Sequence, residues 1–227
     1  MTTTLITGAN KGLGYETARR LLAEGHDVWV GARDEARGRA AAQELGARFV
    51  ALDVTDDASV AAAVETVGSL DVLINNAGIS GGMVPVPEVT PDLVERVFAT
   101  NVVGIVRVTQ AFTPLLKQSA NPVIVNVSSG MGSMTITSDP QRLESSIVGL
   151  QYPASKAAVN MLTTQYAKAL PEMRVNCVDP GYTATDFNQH RGYKTVEQGA
   201  EAIVRMALLD GSGPTGTYVD DQGTVPW

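Results

Sequence analysis

Only one cysteine, Cys177, stands in the 227 residues, so no internal disulfide can form and a cysteine-built metal site has no ligands to draw on. Within its apolar run it reads as a small buried strand residue, and the usage suits a reducing, cytoplasmic setting. Histidine is nearly as scarce. His26 and His190 have no acid or cysteine at metal-ligand spacing, so no metal is expected; His26 reads as a surface residue before a strand. Basic charge is short as well: 17 Lys plus Arg against 24 Asp plus Glu leave a formal net charge of −7. No positive field is available to gather phosphates, which argues against nucleic acid as a partner. Apolar runs of membrane-spanning length are missing, and the first residues lead straight into a strand with no signal-peptide pattern.

What the chain does have is alternation. Strand-like runs at Thr3–Ile6, Asp27–Ala32, Arg48–Asp53, Asp71–Asn75, Pro122–Ser128, Arg174–Val178 and Thr217–Val219 are separated by helix-like stretches. The helices are expected at Tyr15–Glu24, Glu35–Leu45 with Gly46 as its cap, from the Thr55-Asp56-Asp57 cap to Val67, Gln151–Leu170 and Thr195–Leu209. A long helix is expected from Thr90-Pro91-Asp92 through Val108, kinked at Pro114. The polar stretch from Ser129 to Gly149 gives no clear assignment. Strands alternating with helices imply an α/β fold, a Rossmann-type doubly wound parallel sheet in three α/β/α layers. The length fits a single domain, residues 1–227, and ligands in such sheets sit beyond the carboxyl ends of the strands.

Those ends carry the unusual residues. After the first strand comes Thr7-Gly8-Ala9-Asn10-Lys11-Gly12-Leu13-Gly14, a glycine-rich turn opening a helix. Such a turn can bind phosphate, because unpaired amides and the helix dipole favour an anion there, although taken alone it is also the form of a turn set by chain geometry only. In Tyr152-Pro153-Ala154-Ser155-Lys156 a phenol and an ammonium lie one helical turn apart on one face. A neighbouring cation can stabilise a phenolate, whose free pKa is about 10. Taken alone, that pair is common by chance and reads as a solvated helix face.

Together, the glycine turn, Asn75-Asn76-Ala77-Gly78, Asn101, Ser128-Ser129, Tyr152-x-x-x-Lys156 and Pro180-Gly181 resemble the classical short-chain dehydrogenase/reductase family, in the right order over nearly the whole chain. The resemblance implies an oxidoreductase with Tyr152 as general acid or base, Lys156 lowering its pKa and holding the nicotinamide ribose, Ser129 bonding the substrate oxygen, and Asn101 completing a proton relay. It further implies that Gly8, Asn10, Lys11, Gly12, Leu13 and Gly14 surround the pyrophosphate. Asn75, Asn76, Ala77 and Gly78 would wall the adenosine and help fix the central strand, while Pro180, Gly181, Thr183 and Thr185 would lie along the nicotinamide, Thr185 also serving as a helix cap. Asp53 and Val54 match the position that meets adenine, and Asp53 reads equally as a turn residue.

Cofactor choice rests on the end of the second strand. Ala32 stands where NAD-preferring members place an acid, and Arg33 follows as in NADP-preferring ones. With Lys11 it makes a clamp for a dianion, so NADP (NADPH) is the expected cofactor and NAD the weaker alternative. The interval between Ser129 and Tyr152 is longer than in compact members and similar to that of carbonyl reductases. That similarity implies a small-molecule carbonyl or alcohol substrate and a monomer or weak homodimer rather than a tetramer. The substrate loop at 182–194, which holds His190, is short, with Met131, Met134, Tyr182, Phe187 and Tyr193 as candidate walls. A cofactor-binding regulator without turnover is the rival reading on the same fold.

Overall fold

The computed structural model describes residues 1–227. Seven strands form its sheet: β1 (Thr3–Thr7), β2 (Asp27–Ala32), β3 (Arg48–Ala51), β4 (Val72–Asn75), β5 (Val123–Val127), β6 (Arg174–Val178) and β7 (Tyr218–Val219). They are ordered β3-β2-β1-β4-β5-β6-β7, all parallel. The chain winds outward from β1 one way and from β4 the other, so the strand order reverses between them and a crevice opens at their carboxyl ends.

Side chains alternate across each strand, and the alternation builds two cores. Ile6, Ile74, Val123 and Val125 face one layer, with α1 (Gly12–Ala23), α2 (Glu35–Leu45) and α8 (Val196–Ala207). Leu5, Leu73 and Ile124 face the other, with α3 (Asp57–Val67), α5 (Gly104–Leu116) and α7 (Gln151–Ala169). Local signals set the helix ends. The Asp34 side chain accepts the Arg37 N–H at the start of α2, and Gly46 ends it at φ 70°, in the left-handed region that favours glycine. At α3 the capping residue is Asp56, and Thr195 caps α8.

Two expectations change, and one unassigned stretch takes a form. The third strand ends at Ala51, short of Asp53. The long helix is not one rod kinked at Pro114: α4 (Pro91–Phe98) passes through a π-helical turn, Ala99–Val103, into α5, which contains Pro114. An extra residue in that turn displaces the register and carries Asn101, fully buried, toward the strand ends. The stretch after Ser129 folds into a 3-10 turn at Gly130–Gly132, the short helix α6 (Met134–Ser138) and a second 3-10 turn at Leu143–Ser146.

Candidate active site

The glycine turn and the end of β4 are pressed together. Gly8 has φ +66°, and a Cβ there would lie 3.0 Å from the Ala77 Cα. A Cβ on Gly14 would come within 2.6 Å of the Asn76 Nδ2, which donates to the Thr7 and Gly8 carbonyls. Thr7 closes the seam, its hydroxyl accepting the N–H groups of Asn76 and Ala77 at 3.0 and 2.9 Å. Lys11 precedes α1 without capping it by its side chain, so the first-turn amides beyond Gly12 have no side-chain partner. The site therefore has the cradle and the dipole that a pyrophosphate needs. Leu13 contributes a packing side chain, which touches α8 where Gly199 leaves room.

Asn75 fixes the central strand at the base of the expected cofactor wall. It is buried, and its amide donates to Asn126 at 2.9 Å and Thr109 at 3.2 Å, tying β4 to β5 and α5. Val54 also turns inward, packing against Gly104. The Asp53 carboxylate accepts the Thr55 N–H and hydroxyl and lies 3.9 Å from Arg33. Burial alone would raise its pKa; the Thr55 bonds and the Arg33 charge outweigh that and hold it below the usual carboxylate range.

The two cations of the expected Lys11–Arg33 clamp each face a carboxylate. Arg33 leans toward Asp53, while the Lys11 ammonium meets the Asp186 carboxylate at 2.9 Å. Lys11 shares a hollow with Asn10, Tyr15, Arg37, Glu44 and Asp186. Arg37, one helical turn beyond Arg33, is thus a second cation at this end, and its i+4 spacing was the available signal. The neighbouring Asp34 is engaged at the start of α2.

At the ends of β5 and β6 the reactive groups converge. Tyr152 and Lys156 share one face of α7, with the ammonium 5.7 Å from the phenol ring centroid. The Lys156 Nζ donates to the Val127 carbonyl at 2.7 Å. Burial pushes the Tyr152 phenol up to about 12, with a Ser129 hydrogen bond opposing it and the Asp179 charge adding to it. Burial pulls Lys156 down to about 8. In the protein by itself, then, desolvation outweighs any lowering of the phenol by the lysine. Asn101 lies alongside: its amide oxygen accepts the Ile79 N–H at 2.8 Å, and its nitrogen donates to the Ile79 carbonyl and to the Ser155 hydroxyl. A Cβ on Gly78 would lie 3.4 Å from the Asn101 Oδ1 and 3.8 Å from the Lys156 Nζ, so this glycine leaves the space between them open.

The loop after β6 closes over this cluster. Gly181 donates to the Asp179 carboxylate at 2.8 Å, following Pro180. Thr183 is buried, its hydroxyl donating within the loop to the Pro180 and Gly181 carbonyls. Thr185 instead faces the glycine turn, its Cγ2 3.6 Å from where a Gly12 Cβ would sit. It opens a one-turn 3-10 helix, Asp186–Asn188, and the Phe187 ring centroid lies 5.3 Å from that of Tyr152. Tyr182 and Tyr193 pair at 6.2 Å, while Met131 and Met134 line a separate groove with Ile147, Val148 and Pro153. His26 is half-buried and paired with the Thr4 hydroxyl, not a free surface residue.

Residues 2–195 match the family described as short chain dehydrogenase. The chain is a short-chain dehydrogenase/reductase. Within this oxidoreductase family it is 35% identical to a (+)-neomenthol dehydrogenase of Arabidopsis thaliana, over 90% of each chain. Among solved structures, the NADPH-bound carbonyl reductase from chicken fatty liver superposes with a TM-score of 0.87 at 28% identity, covering 100% of this chain and 99% of that one. A 3-ketoacyl-(acyl-carrier-protein) reductase from Brucella melitensis complexed with NADH gives 0.84 at 28% identity, covering 97% and 96%. Sequence reasoning about this short-chain dehydrogenase/reductase passed over two groups at the site. One is Arg37; the other is Asp179, only 4% exposed, whose raised pKa comes from burial.

Proposed function

We propose that the protein is an NADPH-dependent reductase of a small ketone or aldehyde, or the corresponding alcohol dehydrogenase, acting as a single domain. The observation that carries the reading is the Ser129, Tyr152 and Lys156 cluster at the ends of β5 and β6, beside a glycine cradle whose far end opens on a hollow that holds Lys11 and Arg37 together with Glu44 and Asp186. The similarity to a dehydrogenase of menthol type and to a carbonyl reductase supports a carbonyl substrate. Gly8, Gly12 and Gly14 would admit the pyrophosphate, and Lys11, Arg37 and Arg33 would meet the 2′-phosphate. NADPH bound there supplies the hydride.

The chain's own residues handle the proton. Ser129 orients the substrate oxygen, and Tyr152, kept protonated by burial, gives its phenolic proton to that oxygen as negative charge develops. Lys156 holds the ribose hydroxyls and offsets charge on the phenolate left behind. The segment 133–148, which shares a groove with the first turns of α7, supports a monomer or weak dimer, since it stands beside part of the helix surface available for association. Replacing Tyr152 with Phe removes the proton while keeping the ring. Turnover of a carbonyl panel, followed by NADPH absorbance, should fall at least about 100-fold with cofactor affinity retained. Equal turnover in the native and Tyr152→Phe proteins would sink the mechanism, and a regulator without turnover would show none in either.

A further inference from the structure

Asp186 belongs to the loop after β6, yet its carboxylate reaches across the crevice to the glycine turn. One oxygen lies 2.9 Å from the Lys11 Nζ, and the other 3.0 Å from the His190 Nε2. The partners are 175 residues apart in sequence, so the pair bridges two walls of the cofactor crevice rather than decorating one helix. Asp186 also lines the hollow that holds Lys11 and Arg37. Every anion that uses the Lys11 ammonium from that hollow competes with this carboxylate.

The turn carrying Asp186 is built to hold it there. Asn188 accepts the Thr185 N–H, and Thr185 rests against the glycine turn. Beyond it, Gln189 and His190 adopt φ values of 57° and 59°, a left-handed pair of non-glycine residues whose strain the Asp186 contacts help to offset. Phe187, the next residue after Asp186, covers the Tyr152 ring. The same turn therefore touches both the adenosine end and the reacting end of the crevice.

We propose that Asp186 is a specificity-determining residue for the cofactor: it occupies the Lys11 ammonium that a 2′-phosphate must recruit, and so moderates the preference for NADPH over NADH. The inference rests on the NADPH reading above. Lys11 and Asp186 are 57% and 59% exposed, so the competing pair is weak and the effect is modest. NADH shares the pyrophosphate but lacks the 2′-phosphate, so breaking the pair changes its affinity less than that of NADPH.

The test is a set of cofactor dissociation constants, measured by fluorescence titration without a carbonyl substrate, for the native protein, Asp186→Asn, Lys11→Met and the double variant. Asp186→Asn is expected to bind NADPH about two- to fivefold more tightly, with NADH changed by less than about twofold. In the Lys11→Met background the same substitution should lose its effect on NADPH. Equal tightening of both cofactors, unchanged NADPH affinity, or a persistent gain without Lys11 would overturn the inference while a loss of NADPH affinity in Lys11→Met leaves the NADPH reading standing. If the native protein binds both cofactors equally and Lys11→Met weakens neither, the NADPH reading fails and the inference falls with it.

Discussion

At Tyr152 and Lys156, burial acts on opposite charges with the same sense, favouring the neutral form of each. A phenol pushed up to about 12 stays protonated throughout the working range, which suits an acid in carbonyl reduction. The lysine, pulled from 10.5 to about 8, is the group that titrates within reach of experiment. Below about 8 it carries its charge; above, the charge needed at the ribose and the phenolate is lost. The kcat/KM for NADPH should therefore decline with a limb near pH 8. A limb near 10.5 would show that the lysine is not desolvated. Linkage gives the sign for stability: the unfolded chain binds this proton more tightly, so the buried ammonium costs stability below about 8, and the cost fades as pH rises toward 10.5. Lys156→Met should accordingly abolish turnover yet raise stability at pH 7 by about 2 kcal/mol, after loss of its bond to Val127.

Elements hold these residues in place by close approach. The 3-10 turn after Ser129 presses on α7 at Gly132, where a Cβ would lie 2.6 Å from the Lys156 carbonyl carbon and 2.8 Å from its oxygen. Gly132→Ala must push the turn off the helix that bears Tyr152 and Lys156. It should cost about 1–3 kcal/mol in urea denaturation and lower kcat more than cofactor affinity. An unperturbed kcat would show that the turn does not register Ser129 against Tyr152. Element boundaries were readable wherever a cap or a period announced them, as at Asp34 and Gly46 of α2. The π-helical turn was not, because apolar spacing runs on through Phe98, Val102 and Ile105 without a break. Nor was α6, whose fixing contacts come from far along the chain: the Ser133 hydroxyl donates to the Pro226 carbonyl, and the Thr135 N–H to that of Trp227.

Over the whole molecule, two cores share one sheet and every strand except the edge strands β3 and β7 is hydrogen-bonded on both sides. Such a layered arrangement should unfold as one unit. The two tryptophans make this testable, since Trp29 lies on β2 toward one edge of the sheet and Trp227 stacks on Tyr218 of β7 at the other. Far-UV circular dichroism and the fluorescence of Trp29→Phe and Trp227→Phe variants should each give coincident transitions within one protein. A separate transition for either tryptophan would divide the chain into two folding units.

The sequence by itself determined the alternating elements, the parallel sheet and the strand ends at which polar residues gather, because periodicity and caps are local properties. It also determined the family, through motifs that keep their order along the chain. Only the tertiary structure decided which of those residues face one another. Asn75 braces two strands, Thr183 bonds its own loop, and Lys11 meets Asp186 while Arg33 leans toward Asp53. These partners lie tens to more than a hundred residues apart for Asn75 and Lys11, and for Thr183 they depend on how one loop turns. The burial that moves the Tyr152 and Lys156 pKa values likewise exists only after both layers have closed on the sheet.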